Sequence, residues 1–118
     1  MKRKYKGIPR TVAAQYGYIN EHFARPLSVE FLARRAGYST VQFIARFRHF
    51  YGTSPKHYIT VRRLQCAKLL LSVSELSAKR IAEKCGFSDE FYFYKLFRRR
   101  FGMTPTAYRE SMKEKRNV

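Results

Sequence analysis

Apolar side chains return every three or four positions along most of this chain, the interval that lines one face of an α-helix. Val12, Tyr16, Ile19 and Phe23 form the first such stripe and predict an amphipathic helix over residues 11–24, closed before Pro26. Ser28 suits the N-cap of a second helix, Glu30 complements its dipole, and Val29, Leu32, Ala33 and Ala36 mark its buried face as far as Gly37. Ser39 caps a third helix that runs to about Tyr51 and ends at Gly52. Ser54 and Pro55 restart the chain, because proline in the first helical position sacrifices no hydrogen bond. Tyr58, Val61, Leu64, Ala67 or Lys68, and Leu71 then carry a long helix from Pro55 to about Ser72, which at ~1.5 Å per residue spans roughly 25 Å. After a short connection at 74–77 the order recurs: a helix over 77–85, a turn at Gly86, a helix over 88–101, a stop at Gly102 and a restart at Thr104 and Pro105. The expectation is an all-α fold of about seven helices, with 111–118 a frayed tail.

The recurrence extends to residue identity. Residues 27–58 align with 76–108 if one residue is inserted between Ser88 and Phe93. Leu27/Leu76, Ser28/Ser77, Ala33/Ala82, Gly37/Gly86 and Ser39/Ser88 coincide, followed by Phe43/Phe93, Phe47/Phe97, Arg48/Arg98, Gly52/Gly102, Pro55/Pro105 and Tyr58/Tyr108. Shared helix grammar does not reproduce glycine, serine, phenylalanine, arginine and proline in one order, so the pattern is an internal duplication. Each copy consists of a helix, a short glycine-containing turn and a second helix, the helix-turn-helix arrangement. The long helix over 55–72 links the two copies within one domain at 11–110.

Composition narrows what such a pair does. At 118 residues and 45% hydrophobic side chains the chain has the length and the apolar material of one modest domain. Its 25 Lys and Arg against 8 acids give a net charge of +17, which calls for a polyanionic partner. Nucleic acid fits best, with an anionic membrane surface as the competitor. Aromatics make up 16% of the chain without any tryptophan, and their helical spacing assigns them to packed cores rather than to a membrane face. No apolar run approaches the ~18–20 residues that cross a bilayer. Residues 1–10, basic and interrupted by Gly7 and Pro9, read as a flexible arm or linker remnant without the apolar core of a signal peptide, so a cytoplasmic, nucleoid-associated location is expected. Cys66 and Cys85 fall at apolar helical positions and read as small buried side chains. His22, His49 and His57 lack metal-ligand spacing with them, no glycine loop for phosphate is present, and the scattered acids form no catalytic pair. Neither an enzyme nor a cofactor is expected.

With Phe43, Phe47 and Phe50 turned inward at ~100° per residue, Val41, Ala45 and Arg48 occupy the opposite face of the third helix, flanked by Ile44 and His49. In the matching helix Phe93, Leu96 and Phe97 point inward, Phe91, Lys95 and Arg98 outward, and Glu90, Tyr94 and Arg99 lie on the margins, while Arg100 projects toward the core side. The early outward positions are the candidate base readers and the later basic ones the phosphate contacts, together with Ser39 and Ser88 at the helix starts. Val41, Ile44 and Ala45 suit thymine methyl groups but offer no bidentate purine contact, so hydrogen-bonded discrimination leans on Glu90, Tyr94 and Lys95. Glu90 has two available roles, accepting from cytosine or complementing its helix dipole beside Asp89. A non-specific architectural or RNA-binding module is the alternative function.

Residues 86–108 closely resemble the signature of AraC/XylS-type transcription regulators through Gly86, Phe87, Ser88, Asp89, Tyr92, Phe93, Phe97, Arg98, Arg99, Gly102, Thr104, Pro105 and Tyr108, continued by Arg109. The upstream copy is similar to the other motif of that family through Gly37, Ser39, Phe47, Gly52, Ser54 and Pro55. The resemblance covers about residues 11–110 and implies two helix-turn-helix subdomains on a linker helix, with reading helices in successive major grooves of double-stranded DNA. It maps the reading positions onto Val41, Ile44 and Ala45, and onto Glu90, Phe91, Tyr92 and Lys95. It further implies a transcription activator that engages RNA polymerase, and a separate effector-binding or dimerisation domain of the kind most members carry, which this sequence lacks.

Overall fold

The computed structural model describes residues 7–117, and these form seven α-helices and no strand. They are α1 (Arg10–His22), α2 (Val29–Ala36), α3 (Thr40–Tyr51), α4 (Pro55–Val73), α5 (Ala78–Lys84), α6 (Glu90–Phe101) and α7 (Pro105–Arg116). Two compact units divide the chain between Thr60 and Val61, so that α4 runs from one into the other. The expected basic arm lies largely outside the described residues, and helix α1 is already under way at Arg10.

In the first unit Val12 and Ile19 from α1, Leu32, Ala33 and Ala36 from α2, Phe43 and Phe47 from α3 and Ile59 from α4 form one buried cluster. A phenylalanine or isoleucine moved from water into such a site contributes on the order of 1.5–3 kcal/mol. Aromatic stacking closes its edge: the Tyr16 ring lies 4.1 Å from Tyr51 and 4.8 Å from Tyr58, and the Tyr58 hydroxyl donates to Asn20 Oδ1 at 2.6 Å. Burial, with Tyr16 adding to it, pushes the Tyr51 phenol above its ordinary value, so the ring stays neutral. Gln15, a buried polar residue, is satisfied from both ends. Its Nε2 donates to Thr11 O and its Oε1 accepts from Arg35 Nε at 3.0 Å. Arg35 also lies 4.2 Å over the Tyr18 ring, which commits this guanidinium to holding α1 against α2.

The second unit repeats the plan. Leu64, Ala67 and Leu71 of α4 pack with Ile81, Ala82, Cys85, Phe87, Phe93 and Phe97. The duplicated residues reproduce one another's geometry: Phe43–Phe47 and Phe93–Phe97 centroids are both 5.8 Å apart, and Phe47–Tyr58 and Phe97–Tyr108 are 6.1 and 5.9 Å apart. Ser28 and Ser77 cap α2 and α5 by accepting from Phe31 N and Arg80 N at 3.0 and 3.1 Å. Ser54 and Thr104 accept in the same way from His57 N and Ala107 N, both at 3.1 Å. In the turns, Gly37 and Gly86 take positive φ of 79° and 104°, a region that side chains with Cβ avoid. The residue after each folds its N–H back onto the preceding helix, Tyr38 to Ala33 O and Phe87 to Ala82 O.

Four helices differ from expectation, and of these α5 is the shorter by its two caps, spanning Ala78–Lys84 rather than 77–85. Helix α1 spans Arg10–His22 rather than 11–24. Helix α6 begins at Glu90 rather than 88, because Asp89 Oδ1 takes the N–H groups of Phe91 and Tyr92 at 2.9 and 3.3 Å and so becomes the cap. Residues 111–116 do not fray. Helix α7 continues to Arg116, whose Nη1 donates to Ser72 O at 2.9 Å. Arg109 Nε and Nη2 reach Leu71 O and Ser74 O at 3.2 and 3.1 Å. These arginines satisfy carbonyls in the last turn of α4 and just beyond it, where the helix supplies no partner.

Candidate nucleic-acid interface

The third helix, α3, starts from a reciprocal cap. Ser39 Oγ accepts from Gln42 N, and Gln42 Oε1 accepts from Ser39 N, both at 3.1 Å. The pair fixes the direction in which α3 leaves the turn and occupies the one carboxamide on its outer face. Beyond it Val41 is 78% exposed, Ala45, Arg48 and His49 are exposed, and Ile44 is half-buried, while Phe43 and Phe47 are fully covered. Phe50, expected inward, is half-buried beside the His49 ring, edge to face at 4.8 Å. Arg46 turns aside to lie 4.6 Å over the Tyr38 ring. The accessible start of α3 is therefore apolar and its last turn cationic.

Helix α6 has the same polarity with more chemistry on it. Phe91 is 83% and Tyr92 48% exposed. Lys95, Arg98 and Arg99 are exposed, Glu90, Tyr94 and Leu96 are half-buried, and Phe93 and Phe97 are covered. Acidic Asp89 and Glu90 sit at the start and Arg98, Arg99 and Arg100 in the last turn, both signs complementing the helix dipole. Ser88, aligned in sequence with the Ser39 cap, is an exposed residue immediately before the Asp89 cap.

Tyr94, Lys95, Arg98 and Arg99 line an open concavity of about 600 Å³ with Thr104. Thr104 was not among the sequence candidates. Its signal is the Gly102-to-Pro105 restart, which returns the cap of α7 to the cationic end of α6. Arg100 is exposed, not turned to the core, and lines a different groove of about 450 Å³ with Lys68, Phe101 and Tyr108. Lys68 Nζ lies 4.8 Å over the Phe101 ring there.

Among the described residues no group of three or more His, Cys, Asp or Glu is placed to hold a metal ion, and no helix is long and apolar enough to cross a membrane. Two helix-turn-helix copies, each showing an exposed helix with a cationic last turn, define the class of a double DNA-binding module.

Comparison with known proteins agrees. A family model described as a helix-turn-helix domain matches residues 32–111. The probable transcriptional regulator LumQ of Photobacterium leiognathi is 36% identical over 91 residues, 77% of this chain and 37% of that protein. The transcriptional activator RhaS of Escherichia fergusonii is 36% identical over 93 residues, 79% of this chain and 34% of that protein. Thus the chain spans about a third of the length of these curated relatives. The solved DNA-binding domain of AdpA, a global transcriptional factor seen in complex with a target DNA, superimposes with a TM-score of 0.88 at 32% identity, covering 92% of this chain and 98% of that one. The chain belongs to the AraC-type helix-turn-helix family of DNA-binding transcription regulators.

Proposed function

We propose that this chain recognises a specific double-stranded DNA sequence as a transcription activator, placing α3 and α6 in successive major grooves. The observation that carries this reading is the duplicated exposure pattern: covered Phe43 and Phe47 behind Val41, Ala45 and Arg48, and covered Phe93 and Phe97 behind Phe91, Lys95 and Arg98. A helix that shows short-range base contacts at its start and cations in its last turn suits entry into a major groove between two phosphate rows.

In this arrangement Val41, Ile44 and Ala45 approach thymine methyl groups, and Phe91 and Tyr92 add apolar contact from α6. Lys95 donates to a purine edge, with Tyr94 and Glu90 beside it. Arg48, His49, Arg98 and Arg99 meet phosphates, as do the hydroxyls of Ser39 and Ser88. The grooves on one face of DNA recur every ~34 Å, so the two contacts occupy a site of about two helical turns. Transcription activation adds RNA polymerase as a partner, and the working location is the cytoplasmic nucleoid.

Selection of preferred sites from a randomised duplex pool at physiological salt tests the reading. The expected result is an enriched bipartite site protected over about two turns in footprinting. Equal affinity for all duplexes and for RNA hairpins would assign the chain to non-specific binding instead.

A further inference from the structure

Two thiols meet in the second unit where the sequence showed only two small apolar positions. Cys66 lies on α4 and Cys85 immediately follows α5, with Cys85 fully covered in the core cluster and Cys66 partly exposed. Both are free, and Cys85 Sγ donates to Cys66 Sγ at 2.8 Å. Closing that distance to the ~2.05 Å of a disulfide requires a movement of about 0.8 Å.

The two sulfurs are chemically unequal. Burial, with the hydrogen bond to Cys66 adding to it, pushes the Cys85 thiol well above the ordinary range, so it keeps its proton. Cys66 accepts that hydrogen bond and is the one with solvent access, so an oxidant in solution reaches it first.

We propose that Cys66 and Cys85 are a redox modification site, oxidised by a hydroperoxide to an intrachain disulfide that staples α4 to the turn of the second helix-turn-helix. The Cys66 sulfur attacks a peroxide oxygen, forming an S–O bond and breaking the O–O bond, and the thiol proton leaves with the departing hydroxide as water. The Cys85 sulfur then attacks the Cys66 sulfenic sulfur. The S–S bond forms, the S–O bond breaks, and the Cys85 proton leaves with the second water. Two thiols lose two electrons and one hydrogen peroxide becomes two waters.

The crosslink joins residues 19 apart in sequence and encloses all of α5. Cys85 adjoins Gly86 and Phe87, and the Phe87 ring lies 5.1 Å from Phe93 of α6, so the staple holds the turn that aims α6. Lys95, Arg98 and Arg99 are exposed and outside the core cluster to which Cys85 belongs, so the staple leaves these three cations free.

The test treats the reduced full chain with a small excess of hydrogen peroxide, followed by alkylation and non-reducing peptide mapping. A peptide joining Cys66 to Cys85, with both thiols lost together and restored by a dithiol, is expected. So is a melting temperature raised on the order of 10 °C. In Cys85→Ser, Cys66 is expected to stop at a sulfenic acid trappable by a carbon nucleophile, whereas in Cys66→Ser the remaining thiol stays unreacted. Should these variants fail to fold, the wild-type peptide map decides alone. Two thiols still alkylatable after peroxide, a Cys85 that reacts as fast in Cys66→Ser, or crosslinks only between chains would overturn the site. A linked protein that melts no higher would overturn the staple.

Discussion

Phe91 and Phe93 are the same residue type two positions apart on α6, yet one is 83% exposed and the other fully covered. Core position decides what each is for. Phe93 packs on Phe87 and Phe97, so Phe93→Ala should cost ~3–5 kcal/mol, seen as a lower urea midpoint with unchanged slope. Phe91→Ala should change stability by less than about 0.5 kcal/mol and instead weaken binding to sites with a thymine at its position. Lys95 and Arg98 separate on similar grounds, because an early helical position faces base edges and a later one faces phosphate. Arg98→Ala should lower affinity for all sequences alike and reduce the salt slope by about one; a titration series with an unchanged slope would remove Arg98 from the phosphate contacts. Lys95→Ala should alter the preferred base at one position in a randomised library, and a uniform loss across the library would make it a positioning cation. These exposed faces were legible because helical periodicity alone sorts Val41, Ala45, Lys95 and Arg98 from the covered phenylalanines. Thr104 and the Cys66–Cys85 contact were not, since each depends on separate elements meeting in space.

The elements themselves are legible where the chain writes its own start and stop. Ser28, Ser39, Ser54 and Ser77 each stand at a helix start, and Gly37, Gly52 and Gly102 at helix ends with φ of 73° to 79°. At Gly37 an added Cβ meets nothing within 4 Å. Gly37→Ala should therefore cost ~1–2 kcal/mol from backbone strain alone, and Gly37→Asn less, a ranking that thermal denaturation checks. The second copy misled the boundary because its extra residue shifts the cap from Ser88 to Asp89. Asp89→Ala should cost ~0.5–2 kcal/mol while Ser88→Ala costs almost nothing; equal losses would mean that the two share the cap. The end of α7 was illegible for a different reason. Its polar composition reads as a fraying tail until Arg109 and Arg116 are seen donating to the carbonyls of Leu71, Ser74 and Ser72.

At the scale of the whole chain, duplication and charge make separable contributions to binding. The net charge of +17 acts on any duplex through counterion release, so it sets the level of non-specific affinity and its salt dependence. On the proposed reading, specificity comes from the two outward faces, whose chemistry differs: α3 offers Val41 and Ala45, whereas α6 offers Tyr92 and Lys95. A protein built in this way should select a site of two unequal blocks, one reading as thymine-rich and the other carrying hydrogen-bonded purine preference. Val41→Ala should then relax preference only in the first block, by roughly tenfold for a loss of ~1–2 kcal/mol, and Lys95→Ala only in the second. The salt slope should change little for Val41→Ala, which carries no charge. Site selection with both variants at two salt concentrations measures all of this together. Relaxation of both blocks by either substitution would show that the two helices do not read independently, and the duplicated architecture would then act as one surface.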